Sequence, residues 1–167
     1  YELVEAIKQI NAGVVRCTLS LCGFAGVGNV SSIGEEQLKQ WACIPGIHWV
    51  GPSDNMPAVY ANADVVVLPS YREGMPRSLL EAAAMGLPIV ATDVPGCRHI
   101  VTHDQNGLLC KPKSVDSLRK ALEHILDMPE AKRRNLGMAG RKRVEAEFSE
   151  QKVITAALNI LFLLEKR

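Results

Sequence analysis

Two carboxylates eight residues apart are the strongest chemical signal in this chain. They are Glu73 and Glu81, within Ser70-Tyr71-Arg72-Glu73-Gly74-Met75-Pro76-Arg77-Ser78-Leu79-Leu80-Glu81. Ionised carboxylates accept hydrogen bonds from hydroxyl groups, so such a pair suits a polyhydroxylated ligand. Spacing alone carries little weight, because roughly one Glu in twenty has another at that offset at average usage. The context gives the pair its meaning. Glu81 lies in an otherwise apolar run, Leu79 to Met85, where an unpaired buried acid is costly; it must face solvent, a partner or a ligand. Glu73 precedes Gly74 and Pro76, which shape a loop, and Pro76 suits a helix's first turn. The unpaired N–H groups of Arg77, Ser78 and Leu79 then point out of the helix end toward an anion. Carboxylates beside such a helix end fit a phosphorylated sugar. The plain alternative is two solvated acids.

Other loops fall at the same level. Gly23-Phe24-Ala25-Gly26-Val27-Gly28 follows a strand. Its glycine order is the reverse of the dinucleotide fingerprint, so a close approach at Gly23 with a flexible loop is the better reading. Gly51 and Pro52 close another strand, followed by Ser53. Asp93-Val94-Pro95-Gly96 follows a third, so three or four strand ends converge with small residues and leave room for a ligand. His48, His99, His103 and His124 lack ligand spacing, so no metal site is expected. Cys17, Cys22, Cys43, Cys97 and Cys110 form no Cys-x-x-Cys pair and read mostly as small core residues of a reducing compartment. Lys132-Arg133-Arg134 and Arg141-Lys142-Arg143 read as a solvated face, with docking to an acidic membrane surface as the second reading.

These residues need a scaffold. Apolar, β-branched segments predict strands over Val14–Cys22, Ile47–Val50, Asp64–Leu68, Pro88–Ala91 and Gly107–Cys110. Between and after them, helical patterns cover 33–43, 57–62, 78–85, 114–126, 129–148 and 150–166. Ser114 is a fitting N-cap and Asp116 a favourable first-turn acid. Strand, crossover helix and strand in succession imply an α/β fold, a Rossmann-like parallel sheet with helices on both faces. Continuous Val, Ile and Leu runs imply strands buried on both sides. In such a sheet the carboxyl ends of the strands form the ligand-binding edge, where Glu73 and Gly51 both land.

The 167 residues fit one domain, 1–167, with no internal linker or repeat. A net charge of +1 and 5% aromatics argue against nucleic acid as a partner. No apolar stretch is long enough to span a membrane. Tyr1-Glu2-Leu3-Val4-Glu5-Ala6-Ile7-Lys8-Gln9-Ile10 is already amphipathic, so the expectation is a helix entered part-way and a domain truncated at its N-terminus. The segment from Ile154 to Leu163 is unusually apolar, for core packing or for contact with a missing domain.

The whole pattern resembles the family 4 (group 1) retaining glycosyltransferases. The resemblance rests on Asp64-Val65-Val66-Val67-Leu68-Pro69-Ser70-Tyr71-Arg72-Glu73-Gly74-Met75-Pro76-Arg77-Ser78-Leu79-Leu80-Glu81-Ala82, Gly86-Leu87-Pro88-Ile89-Val90-Ala91-Thr92 and Asn106-Gly107-Leu108-Leu109. It implies the C-terminal, donor-binding half of a two-domain GT-B enzyme that closes on a nucleotide-sugar without a metal. By that likeness Glu73 is the catalytic-site acid, contacting the donor sugar's hydroxyls and supporting an oxocarbenium-like transition state. Glu81 binds ribose hydroxyls, and the Gly74 and Met75 backbone touches the sugar. Pro76 leads into the amides of Arg77, Ser78 and Leu79, which meet the diphosphate. Gly23 and the Gly51-Pro52-Ser53 loop flank the nucleotide. The Tyr-Arg-Glu-Gly-x-Pro-Arg-Ser variant is similar to transferases of bacterial surface polysaccharides that use UDP-N-acetylhexosamines. That likeness extends to a cytoplasmic protein working at the inner face of the membrane on a lipid-linked acceptor. The family's diphosphate-clamping Arg and Lys, and its acceptor domain, are absent from this chain, so the chain alone is expected not to transfer sugar. The alternatives are a GT-B relative such as a UDP-sugar epimerase, and a non-catalytic Rossmann-like binding module.

Overall fold

A computed structural model of the chain describes residues 1–26, 32–152, 154–155 and 158. Helices and strands alternate: α1 (Glu2–Ile10), β1 (Leu19–Cys22), α2 (Glu35–Ala42), β2 (Ile47–Gly51), α3 (Met56–Ala61), β3 (Val66–Leu68), α4 (Arg77–Ala84), β4 (Ile89–Thr92), α5 (Pro95–Ile100), β5 (Leu108–Cys110), α6 (Val115–Asp127) and α7 (Glu130–Glu147). All strand pairs are parallel, as the α/β reading requires, but they form two ladders, β1-β2 and β3-β4-β5. Parallel pairing puts the strands' carboxyl ends on a common side within each ladder. Cys22 aligns with Gly51 in one, and Thr92 with Cys110 in the other.

Residue alternation along β4 builds the layers. Ile89 and Ala91 join a core with Leu79, Ala82, Ala83, Cys97, Ile100 and Val144, from α4, α5 and α7. Val90 points the other way, joining Leu3, Ile7, Leu118 and Ile125 from α1 and α6. Successive side chains of a strand face opposite sides, so one strand seeds both cores. Leu19 of β1 and Ile47 of β2 belong to that second core, which therefore bridges the two ladders.

Four sequence expectations change. The first strand starts at Leu19, not Val14, and Val14 and Val15 are exposed. Asn11 causes this. Its Nδ2 donates to the Cys17 carbonyl (2.9 Å), and its Oδ1 accepts from the Arg16 and Cys17 amides (2.9 and 3.2 Å). A side chain has taken the backbone groups that a ladder would need. Second, burial on both faces holds throughout β4 alone; β1 alternates, with Leu19 buried and Ser20 and Cys22 exposed, so one of its faces lacks a covering layer. Third, α5 forms where a loop was expected, with Pro95 in its first turn, a position needing no N–H. Fourth, only Cys97 and Cys110 are buried, while Cys22 and Cys43 are exposed.

Ser114 caps α6 as expected, accepting from the Ser117 amide (3.2 Å). Most of the expected last helix lies outside the described residues, as do Val27 and Gly28 of the glycine loop; Ile154 and Leu158 are exposed. Nor are the basic clusters merely solvated. Arg133 donates to the Leu126 carbonyl (3.0 Å), and Arg143 donates to the Thr102 hydroxyl (2.5 Å) and the His99 carbonyl (3.0 Å). Both arginines staple α7 to neighbouring turns.

Candidate functional site

The site is built on the loops that leave β1, β2, β3 and β4. The β3–α4 loop carries Glu73 from the sheet to the first turn of α4. Pro76 is buried and caps that turn. Helix α4 buries Leu79, Ala82 and Ala83 against the sheet, which leaves Glu81 on its flank, 41% exposed at the side chain. A 3.6-residue period with small residues on the core side produces this placement.

The two acids have different surroundings. Glu73 is half-buried, and among the described residues its carboxylate makes no hydrogen bond or ion pair. Glu81 is held. The Tyr60 hydroxyl donates to its Oε2 (3.1 Å), with the Ser78 carbonyl also in reach (3.3 Å), and Arg77 Nη2 lies 3.8 Å from Oε1. Tyr60 is 5% exposed. Its phenol is pushed up to about 12, first by burial and then by the Glu81 carboxylate, so it stays a neutral donor at any physiological pH.

Tyr60 has no place in the site read from the sequence. It sits in the short α3 among Ala and Val residues, and its partner lies 21 positions further on. A polar-tipped aromatic in a small helix was the only available signal, and core packing explains it equally well.

The amides divide. Leu79 N–H turns back to the Pro76 carbonyl (3.1 Å), so the row of three free donors expected from the sequence becomes two, Arg77 and Ser78. A tight first turn closes i to i+3 in this way. Gly74 and Met75 are exposed beside them. On the other ladder, the Gly23 amide donates to the Gly51 carbonyl (3.0 Å), and Trp49 Nε1 approaches the Gly23 carbonyl (3.5 Å). Gly23 and Gly51 are thus brought together as expected. Ser53 Oγ accepts from the Asn55 amide (3.1 Å), and Asn55 Oδ1 caps α3 through the Ala58 amide (3.2 Å). The Gly51–Ser53 loop therefore leads through its caps into the helix that presents Tyr60 to Glu81.

Gly96, one of the small residues at this edge, is packed against the neighbouring loop. That residue is buried, and the backbone of Glu73 and Gly74 fills the space where a side chain would be. Cys97 beside it is buried, its thiol pushed up first by burial and then by the nearby Glu73 carboxylate; a protonated thiol is a poor nucleophile. Among the described residues no group of three or more His, Cys, Asp or Glu could hold a metal ion. Among the described residues, too, no helix is long and apolar enough to cross a membrane. A separate concavity of about 540 Å³, lined by Glu2, Lys8, Trp41 and Val115 among others, contains none of these site residues.

A parallel α/β unit with Glu73 on a strand-end loop and Glu81 on the helix that follows is Rossmann-like, and its likeness to the structures below makes it one half of a GT-B fold. Residues 2–143 match the family described as Glycosyl transferases group 1, and the chain belongs to that family. It is 33% identical to a glycogen synthase of Mycobacterium tuberculosis over the whole chain, which covers 40% of that protein. A sucrose-phosphate synthase from Thermosynechococcus elongatus superposes with a TM-score of 0.83 at 29% identity, over 99% of this chain and 42% of that one. Anabaena Alr3699/HepE, solved with UDP-glucose, shares the fold with a TM-score of 0.78 at 22% identity, over 99% of this chain and 44% of its own. The chain thus spans about 40% of the length of these relatives.

Proposed function

We propose that residues 1–167 form the donor-binding domain of a retaining glycosyltransferase and hold a nucleotide-sugar across the carboxyl ends of the strands. The donor is a UDP-sugar carrying a hexose or N-acetylhexosamine, used in building a bacterial polysaccharide or glycan. The observation that carries this reading is the unequal pair of acids. Glu81 is pre-oriented by a neutral buried donor, as a rigid ribose contact needs, while Glu73, in the loop after β3, is half-buried and makes no hydrogen bond or ion pair among the described residues. Unpaired polar groups at a ledge are available to a ligand, and pre-orientation lowers the entropic cost of binding it.

In this reading Glu81 accepts from the ribose hydroxyls, and Gly23 with Gly51-Pro52-Ser53 flanks the base. The Arg77 and Ser78 amides meet diphosphate oxygens at the positive end of α4. The Gly74 and Met75 backbone and the Glu73 carboxylate meet the sugar. As the glycosidic bond to the diphosphate breaks, positive charge develops at the sugar and negative charge on the leaving phosphate. Glu73 stabilises the first and the α4 amides the second. No metal is required for either. Facing cations and an acceptor site belong to a second domain, so this chain binds donor without transferring sugar. Support for the nucleotide comes from the Anabaena protein of the same fold, which binds UDP-glucose.

Calorimetric titration tests the reading. UDP binds the wild-type chain saturably. Glu81→Ala weakens UDP by about tenfold or more, the scale of a lost hydrogen bond to a charged group. Glu73→Ala leaves UDP within about twofold while weakening UDP-glucose. An absence of saturable UDP binding, or equal losses for both ligands in Glu73→Ala, would sink the assignment and favour a plain binding module.

A further inference from the structure

The Glu73 loop is seated against α5 through a contact that admits no side chain. Gly96 is the second residue of α5 and is buried. A Cβ built there lies 2.4 Å from the Glu73 carbonyl oxygen, 2.5 Å from that of Gly74 and 2.6 Å from the Glu73 carbonyl carbon. Real Cβ atoms essentially never approach within 3.0 Å of another heavy atom. Gly96 does not have a positive φ, so space rather than backbone conformation demands glycine here. The first turn of α5 lies directly on the two peptides that carry the catalytic-site acid.

A second contact ties the same loop to the same part of the fold. The Thr92 hydroxyl, 2% exposed at the end of β4, donates to the Ser70 carbonyl. The end of β4 is itself anchored, because the Asp93 amide donates to the Cys110 carbonyl (2.7 Å). On the outer side, the Tyr71 hydroxyl donates to Glu2, and Lys113 Nζ lies 5.2 Å from the centre of the Tyr71 ring. Loop 70–74 is thus pinned from both sides. Its outer pins are exposed side chains that can adjust; its inner seat is backbone against backbone and cannot.

We propose that Gly96 is a positioning residue for Glu73. By omitting a side chain it sets how deep the Glu73–Gly74 backbone sits, and so where the carboxylate meets the donor sugar. Thr92 fixes the start of the same loop. Glu81 escapes this control, since it is placed by α4 and Tyr60. A methyl group at position 96 has to push the Glu73 peptide by more than about half an ångström, or displace α5. Displacements of about 1 Å in a catalytic constellation can cost two orders of magnitude.

The inference rests on the donor-binding reading, and the experiment separates the two. UDP and UDP-glucose are titrated calorimetrically against wild type, Gly96→Ala and Thr92→Val, and amide NMR spectra of the three are compared. In Gly96→Ala, UDP affinity stays within about twofold, UDP-glucose weakens about fivefold or more, and the Glu73, Gly74 and Met75 amides shift while those of Gly51 and Ser53 do not. Thr92→Val removes the tether without adding bulk and gives a smaller loss in the same direction, which keeps the test alive if the alanine variant fails to fold. Equal losses of both ligands, or unmoved Glu73 and Gly74 amides, overturn the proposal. If the wild type binds no UDP, the donor-binding reading falls instead, and the amide shifts still decide whether position 96 seats the loop.

Discussion

Two pairs of glycines, Gly23 and Gly51 beside the β1-β2 ladder and Gly96 and Gly137 beside the β3-β4-β5 ladder, are there for opposite reasons. Gly51 and Gly23 have φ of +73° and +144°, and among the described residues nothing beyond their own chain neighbours lies within 4 Å of a Cβ at either. They are there for the backbone path alone. On the β3-β5 side, Gly96 and Gly137 do not have positive φ, but a Cβ would strike the backbone, at 2.4 Å for Gly96 and 2.0 Å from the Gly86 carbonyl for Gly137. They are there for close packing. One side of the site is shaped by local conformation and stays open around it; the other is shaped by elements pressed together. In the functional reading, the open side receives the nucleotide base and the pressed side the reacting sugar, where a fixed geometry matters most.

A matched pair of alanine substitutions can break this comparison. Gly137→Ala forces α7 off the Gly86–Leu87 turn and costs about 3 kcal/mol, the upper part of the usual overpacking range. Gly51→Ala strains one residue in the left-handed region and costs about 1–2 kcal/mol. Urea unfolding of both variants decides it; if Gly51→Ala proves the costlier, the distinction between steric and conformational glycines is wrong.

The next test sharpens the link between the two sides. Tyr60→Phe leaves the Glu81 carboxylate without its buried donor, so UDP binding weakens about fivefold while the fold loses about 1 kcal/mol. Unchanged UDP affinity in this variant would show that Glu81 needs no help from α3.

The same contact also carries a pH dependence. The folded Tyr60 phenol holds its proton more tightly than an unfolded one, with its pKa raised from 10.0 to about 12. Its contribution to stability is complete below about pH 10 and is lost as pH rises toward about 12. Denaturant midpoints measured from pH 9 upward should fall through that window, and Tyr60→Phe should flatten the fall.

The parallel α/β scaffold, the helix N-cap at Ser114 and the positions of Glu73 and Glu81 at a strand end and on a helix flank were all readable as local patterns. Where the sequence misled, a distant or lateral partner had intervened. Val14 to Cys17 looked like the start of a strand, yet Asn11 folds back and takes the backbone groups of Arg16 and Cys17, so the ladder begins only at Leu19. Pro95 and Gly96 look like a turn, yet they open α5 because its apolar Cys97 and Ile100 can bury against α4. Arg143 looks solvated until α7 is laid against the turn that carries Thr102.

Local chemistry, then, was enough to say which residues carry charge and on which elements they ride, because periodicity, glycine, proline and capping signals act over a few neighbouring positions. Membership of the glycosyltransferase family follows from the same runs of residues. Only the tertiary structure decided how the two acids differ. Tyr60 reaches Glu81 across 21 positions, and Gly96 meets the Glu73 backbone from the first turn of α5. Such contacts depend on how closely separate elements pack, and no pattern along the chain encodes that distance.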